Sequence, residues 1–157
     1  MKDKLLSKQG WVILLICIIS FFINNRVVVP DIMEARNMVT AREMVHDGNW
    51  LVPTMNGDLR LEKPPLPTWL TAVAEMISPD NLALQRAMAG FAAILLVAFF
   101  YLTAVQVMRN KRYAFISTIL LCTCYNIILM GRTASWDIYC HAFMMGAIYF
   151  LIKAFVT

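Results

Sequence analysis

Residues 87–108 read AMAGFAAILLVAFFYLTAVQVM, an apolar stretch without one charged side chain. A helix that crosses a bilayer needs about 20 mostly apolar residues, since each adds about 1.5 Å against a hydrocarbon core about 30 Å thick. This stretch meets that length, and it sets the class of the chain around it. Three further runs satisfy the same rule: Trp11–Val29, whose outer end carries Asn24, Asn25 and Arg26, then Tyr113–Met130 and Ile138–Val156. Composition agrees, with 60% of the 157 residues hydrophobic and 15% charged, against about 45–50% and about 25% in ordinary soluble domains. The expected fold is all-α, a polytopic membrane protein of about four transmembrane helices.

The basic start MKDKLLSK before the first apolar run also has the layout of a signal peptide. No small-residue cleavage site follows Ile23, which favours an uncleaved first span. Lys2, Lys4 and Lys8 precede that span, and Arg109, Lys111 and Arg112 join the second to the third. The excess of Lys and Arg in cytoplasmic loops places both groups, and the N-terminus, inside. Lys153, near the end of the fourth span, can reach the same side. Two segments then face outward: the long connection 30–86 and the turn GRTASWD at 131–137.

The net charge of +4 is dispersed between apolar runs and forms no basic face, so no nucleic-acid partner is expected. Cys17, Cys122, Cys124 and Cys140 all lie within apolar runs. They form neither a disulfide framework nor a metal-ligand pattern, and read as small residues facing lipid or neighbouring helices.

A connection as long as 30–86 is unusual without structure of its own. EARNMVTAREMVHDG (34–48) carries Ala35, Met38, Val39, Met44 and Val45 near one face, with Gly48 as a helix stop. PLPTWLTAVAEMIS (65–78) opens on prolines, which a first turn tolerates, and is too short to span. Both are expected to be amphipathic helices lying at the membrane surface. Between them Asn56-Gly57 marks the turn of a short hairpin.

The charged groups of the outer segments have two readings each. Asp31-x-x-Glu34 has the spacing of a capping box, which needs no chemistry. Arg36 lies two positions past Glu34 and so does not share its face. Glu62-Lys63 reads as a solvated pair, or as a Lys for a phosphate oxygen beside a Glu for a divalent metal. Arg132 and Asp137 read as an interfacial ion pair, or as functional charges at membrane depth. His141 reads as a satisfied helix histidine and His46 as solvated. The topology nevertheless brings Glu34, Arg36, Glu62, Lys63, Arg132 and Asp137 to one side. Such a set suits chemistry on a phosphate-bearing lipid: a carboxylate takes the proton of an acceptor hydroxyl, and cations or a metal stabilise the departing phosphate.

Glu34-Ala35-Arg36, Arg42-Glu43-Met44, Gly48-Asn49-Trp50 and Glu62-Lys63-Pro64-Pro65, in that order, resemble the first outer loop of bacterial lipid-linked-sugar glycosyltransferases of the C-type membrane fold. The nearest groups are the aminoarabinose transferases that modify lipid A and the protein O-mannosyltransferases. The Arg132…Asp137 turn resembles the family's second outer acidic position. The family usually has Asp immediately before the Glu, where this chain has Met33. The resemblance implies an inverting glycosyltransferase of the inner membrane with its site on the outer face. Its donor would be a sugar on a polyprenyl phosphate, and its acceptor a glycolipid such as lipid A, or a protein.

In that scheme Glu34 or Asp31 is the general base, and Asp137 binds the acceptor or orients the base. Lys63, Arg36 and Arg132 hold the donor phosphate, and Glu62 ligates a divalent metal. Family members have many more spans, so the chain is expected to be the N-terminal part of a longer protein. The rival class is a non-catalytic four-span protein, an assembly subunit or a small transporter. Transporters place ionisable groups near the midplane, and the charge-free 87–108 run speaks against that class.

Overall fold

The computed structural model describes residues 8–156; Lys2 and Lys4, on which the orientation partly rests, lie outside them. In chain order the elements are α1 (Lys8–Phe22), α2 (Ile32–Asp47), β1 (Thr54–Met55), β2 (Asp58–Leu59), α3 (Pro65–Ile77), α4 (Leu82–Met108), α5 (Lys111–Cys122), α6 (Tyr125–Gly131) and α7 (Asp137–Val156). The all-helical class is as expected, relieved among the described residues by a two-stranded hairpin.

The charge-free run forms α4, and α7 follows the fourth run; both are long and apolar enough to cross a membrane. Asn81 caps α4 by accepting a hydrogen bond from the Leu84 amide at 3.3 Å. The helix ends at Arg109, in the left-handed region with φ +50°. The third expected span is not straight. It divides into α5 and α6, bent by 64°, so the pair qualifies as a single span only when taken together. At the break the Thr123 hydroxyl turns back to the Ile119 and Leu120 carbonyls at 3.2 and 3.1 Å. Such back-bonding competes with the regular helix ladder and bends helices.

The first run is also shorter than expected. Its helix has 15 described residues and stops at Phe22, with Asn24 at φ +57° in the turn that follows. Asparagine tolerates that conformation better than its apolar neighbours, so the helix does not continue to Val29.

The helices meet through small residues. Ala89, Ala92, Ala93 and Ala142 are buried with Phe21, Leu96, Val97, Ile138 and Tyr139 in one core. Gly131 lies so close to α1 and α4 that a Cβ there would stand 2.6 Å from the Phe21 ring and 2.9 Å from the Ala93 methyl. Small side chains permit this approach where dispersion, more than water exclusion, holds helices together.

The turn and helix ends of the 30–86 connection form as their local signals indicate, but α2 buries Glu34, Asn37, Thr40, Ala41 and Met44, not the expected face of Ala35, Met38 and Val39. Asp31 caps α2 by accepting from the Glu34 amide at 2.7 Å. Gly48, at φ +74°, ends it with its N–H on the Met44 carbonyl at 3.1 Å. Asn56 and Gly57 both have positive φ (+55° and +82°), as a two-residue primed turn requires, and Thr54 pairs with Leu59. Glu43 pins the hairpin to α2, accepting from the Thr54 hydroxyl at 2.6 Å and the Asn56 amide at 2.5 Å. Then α3 packs on α2 through Ala41, Met44 and Ala72, with Trp50 and Trp69 alongside. Near its end the buried Glu75 accepts from Gln85 Nε2 at 2.5 Å and the Asp80 amide at 3.0 Å, which fixes where α4 begins.

Candidate functional site

The first turn of α2 presents Asp31 outward and Glu34 inward. Glu34 is fully buried, as is Arg86 in the first turns of α4. Arg86 Nε and Nη2 donate to the two Glu34 carboxylate oxygens, both at 2.7 Å. Arg86 Nη1 donates to the Asn25 and Val28 carbonyls at 2.5 and 2.9 Å, and the Ala134 amide donates to Glu34 Oε1 at 2.8 Å. One ion pair therefore joins the segment after α1, α2, α4 and the turn before α7. The capping box is half made: Asp31 caps, while Glu34 is drawn to Arg86 and not back to the cap.

Glu34, expected as the first choice for general base, is held here in a buried ion pair. Both of its oxygens are engaged by a buried guanidinium, and none of the residue is exposed. A group that must meet an acceptor hydroxyl needs hydrogen-bond reach to it. Glu34 anchors the 30–86 connection onto the helices.

One turn further on, Asn37 is buried and shares in this anchoring. Its Nδ2 donates to Thr71 Oγ1 at 3.1 Å and the Ala134 carbonyl at 2.7 Å, and its Oδ1 accepts from Thr68 at 2.8 Å. Two elements, α3 and the 131–137 turn, converge on this one α2 amide. These bonds bring the 131–137 turn against α2 and α3, which the topology placed on the same side without contact.

Beside this junction lies a group of cations. Arg60, just after the hairpin, is buried and donates from Nη1 to the Arg36 carbonyl at 2.6 Å and Thr40 Oγ1 at 2.8 Å. Its guanidinium carbon stands 5.2 Å from the centre of the Trp136 ring, and Lys63 Nζ stands 5.5 Å from the same ring. Both distances lie within cation–π range. Burial lowers the Arg60 pKa; Glu62 opposes that shift and the neighbouring Arg36 adds to it. Arg36, Glu62 and Lys63 are exposed. Arg36, Asp58, Arg60 and Glu62 line an open cavity of about 190 Å³.

The remaining candidates are placed differently. Arg132 donates to the Ile23 carbonyl, so it holds the end of α1 and is not shown paired with Asp137. Asp137 is exposed at the start of α7. His141 Nδ1 donates to the Asp137 carbonyl at 2.6 Å, a satisfied helix histidine as expected. His46, exposed at the far end of α2, faces Asp47 at 2.7 Å, which raises its pKa.

The divalent metal fits poorly. Among the described residues no three His, Cys, Asp or Glu side chains gather to hold one. Glu62 offers a single carboxylate, and hard cations such as Ca²⁺ take six or more oxygens. No step is assigned to a metal.

Reading the sequence missed Arg86, Asn37, Arg60 and Trp136. Arg86 carried a usable signal, since a charge adjoining an apolar span is costly unless paired. Asn37, Arg60 and Trp136 carried none, because their partners are remote in sequence.

An undecaprenyl phosphate-alpha-4-amino-4-deoxy-L-arabinose arabinosyl transferase of Pseudomonas savastanoi pv. phaseolicola is 34% identical over 92 residues, covering 59% of this chain and 17% of that protein. The transferase of the same name from Shewanella sediminis is 31% identical over 108 residues, covering 69% of this chain and 19% of its own length. The chain thus spans under a fifth of either relative. The crystal structure of ArnT from Cupriavidus metallidurans bound to undecaprenyl phosphate shares the fold, with a TM-score of 0.76 at 20% identity over 93% of this chain and 27% of that one. Residues 11–157 match the model of the dolichyl-phosphate-mannose-protein mannosyltransferase family, and the chain belongs to that family.

Proposed function

We propose that the protein transfers a sugar from a polyprenyl-phosphate-linked donor to an acceptor at the outer face of the inner membrane, with inversion at the anomeric carbon. The observation that carries this reading is the pairing of Lys63 and Arg60 on the Trp136 ring, with the carboxylates of Asp31 and Asp137 exposed. The cations stabilise the charge that develops on the phosphate as the glycosidic bond breaks. A carboxylate accepts the proton of the attacking hydroxyl. Attack from the face opposite the leaving phosphate inverts the sugar.

The names of the matched relatives support an undecaprenyl-phosphate donor with an aminoarabinose-type sugar; the acceptor in this reading is a lipid A-like glycolipid. The family model equally suits a protein acceptor. Asp31 takes the role of base in this reading, because Glu34 is committed to Arg86. Asp137 orients the acceptor.

Two experiments test the parts. Serine caps a helix about as well as aspartate, so Asp31→Ser is expected to leave stability within about 0.5 kcal/mol of wild type. It is expected to lower turnover by about 10²–10⁴-fold through loss of the base. Unchanged turnover in the purified complete gene product would leave Asp31 as a cap alone. For the orientation, a cysteine is introduced at Leu51 or at Asn110 on a cysteine-free background; Leu51 is 84% exposed beyond α2, and Asn110 lies between α4 and α5. A membrane-impermeant thiol reagent applied to intact cells is expected to label the first and spare the second. The opposite pattern would turn the site toward the cytoplasm.

A further inference from the structure

Two buried donors near Lys63 have no partner: Arg60 Nη2 and Trp136 Nε1. The residues are only 6% and 5% exposed, so solvent does not satisfy them freely. An orphaned buried donor forfeits the hydrogen bond it made to water, and native structures leave few without a reason. Both residues line one small cavity with Thr40, Lys63 and Thr68, and its volume of about 10 Å³ holds about one oxygen atom. Its charge is one-sided. Its lining holds the cations Arg60 and Lys63 and, among the described residues, no carboxylate; the two share a single indole ring, while Arg36 adds a like charge at Arg60 and Glu62 opposes it.

We infer that Arg60 Nη2 and Trp136 Nε1 form a seat for one non-bridging oxygen of the donor's phosphate, with Lys63 at the rim. A whole phosphate is too large for the cavity, so the group docks at the mouth and inserts one oxygen. Two fixed N–H donors then meet the oxygen where charge accumulates, and the anion relieves the repulsion between the paired cations. A neutral polyprenol, which has a hydroxyl but no charged oxygen, gains little from the seat. The inference rests on the donor reading above, and it assigns to Trp136 a hydrogen bond that its role as a packing ring does not require.

The test uses the complete gene product in detergent, with undecaprenyl phosphate and undecaprenol as probes. Trp136→Phe keeps an aromatic ring beneath the cations and removes the N–H together with the five-membered ring, a loss of volume that the undecaprenol arm reads separately. Undecaprenyl phosphate is expected to bind about tenfold more weakly to it, as for loss of one hydrogen bond to a charged group, with undecaprenol binding unchanged. Arg60→Lys, which keeps the charge but lacks the second nitrogen, is expected to act in the same direction. It serves as the second variant if Trp136→Phe is poorly folded. Wild-type affinity for undecaprenyl phosphate in both variants, with Lys63→Ala weakened, would overturn the seat and leave the donor reading standing. Equal weakening toward both lipids would overturn it as well, because the loss would then be structural. No binding of undecaprenyl phosphate by the wild-type protein would overturn both readings together.

Discussion

Arg86→Ala is expected to destabilise the protein by about 3–5 kcal/mol, the loss usual when one partner of a buried ion pair is removed and the other is left uncompensated. The substitution strands the fully buried Glu34 carboxylate and frees the Asn25 and Val28 carbonyls that Arg86 Nη1 holds. Glu34→Gln is expected to approach the same loss. Its amide keeps the shape, but it leaves a buried guanidinium facing a neutral group. Removing both partners, as Glu34→Leu with Arg86→Met, is expected to cost less than the two single changes summed, since neither charge is then orphaned. Denaturant or thermal unfolding of the complete gene product in detergent measures all of these. Wild-type stability in Glu34→Gln together with lost turnover would return Glu34 to the chemistry.

Lys63→Ala is expected to lower transfer by about 10²–10³-fold, the range for deleting one donor aimed at charge that develops in the transition state. Lys63 is exposed and ends no helix, so the melting temperature should stay close to that of wild type. Lys63→Arg keeps the charge over Trp136 and is expected to retain much of the activity, although its wider guanidinium meets a phosphate differently. The contrast between the two replacements carries the argument. Equal, small effects from both would mean that Glu62-Lys63 is a solvated pair and that the phosphate is held elsewhere.

Much of this architecture was legible because its causes are local. Asn56-Gly57 names its turn through the backbone conformations those residues allow, Gly48 names the end of α2, and the charge-free run names α4. The capping role of Asp31 lies in the spacing to Glu34. What stayed hidden depends on packing. Whether Glu34 turns to its own cap or to Arg86 is decided 52 residues away, by where α4 docks. Asn37 meets Ala134 across 97 residues. Trp136 read as part of the turn 131–137, yet it supplies the ring on which two cations rest. The early end of α1 and the bend after α5 were hidden for another reason: hydropathy counts apolar residues and does not register a positive φ at Asn24 or a hydroxyl returned to the backbone at Thr123.

The central claim is that the charges gathered at this end of the helices serve a polyprenyl-phosphate sugar donor. It is tested most directly by reconstituting the complete gene product in vesicles with an undecaprenyl-phosphate-linked sugar and a lipid A-type acceptor. The measurement follows polyprenyl phosphate released and the anomeric configuration of the product by NMR. The account predicts one polyprenyl phosphate freed for each sugar transferred, with the anomeric configuration inverted. Sugar transfer without release of polyprenyl phosphate, or with the configuration retained, would contradict it.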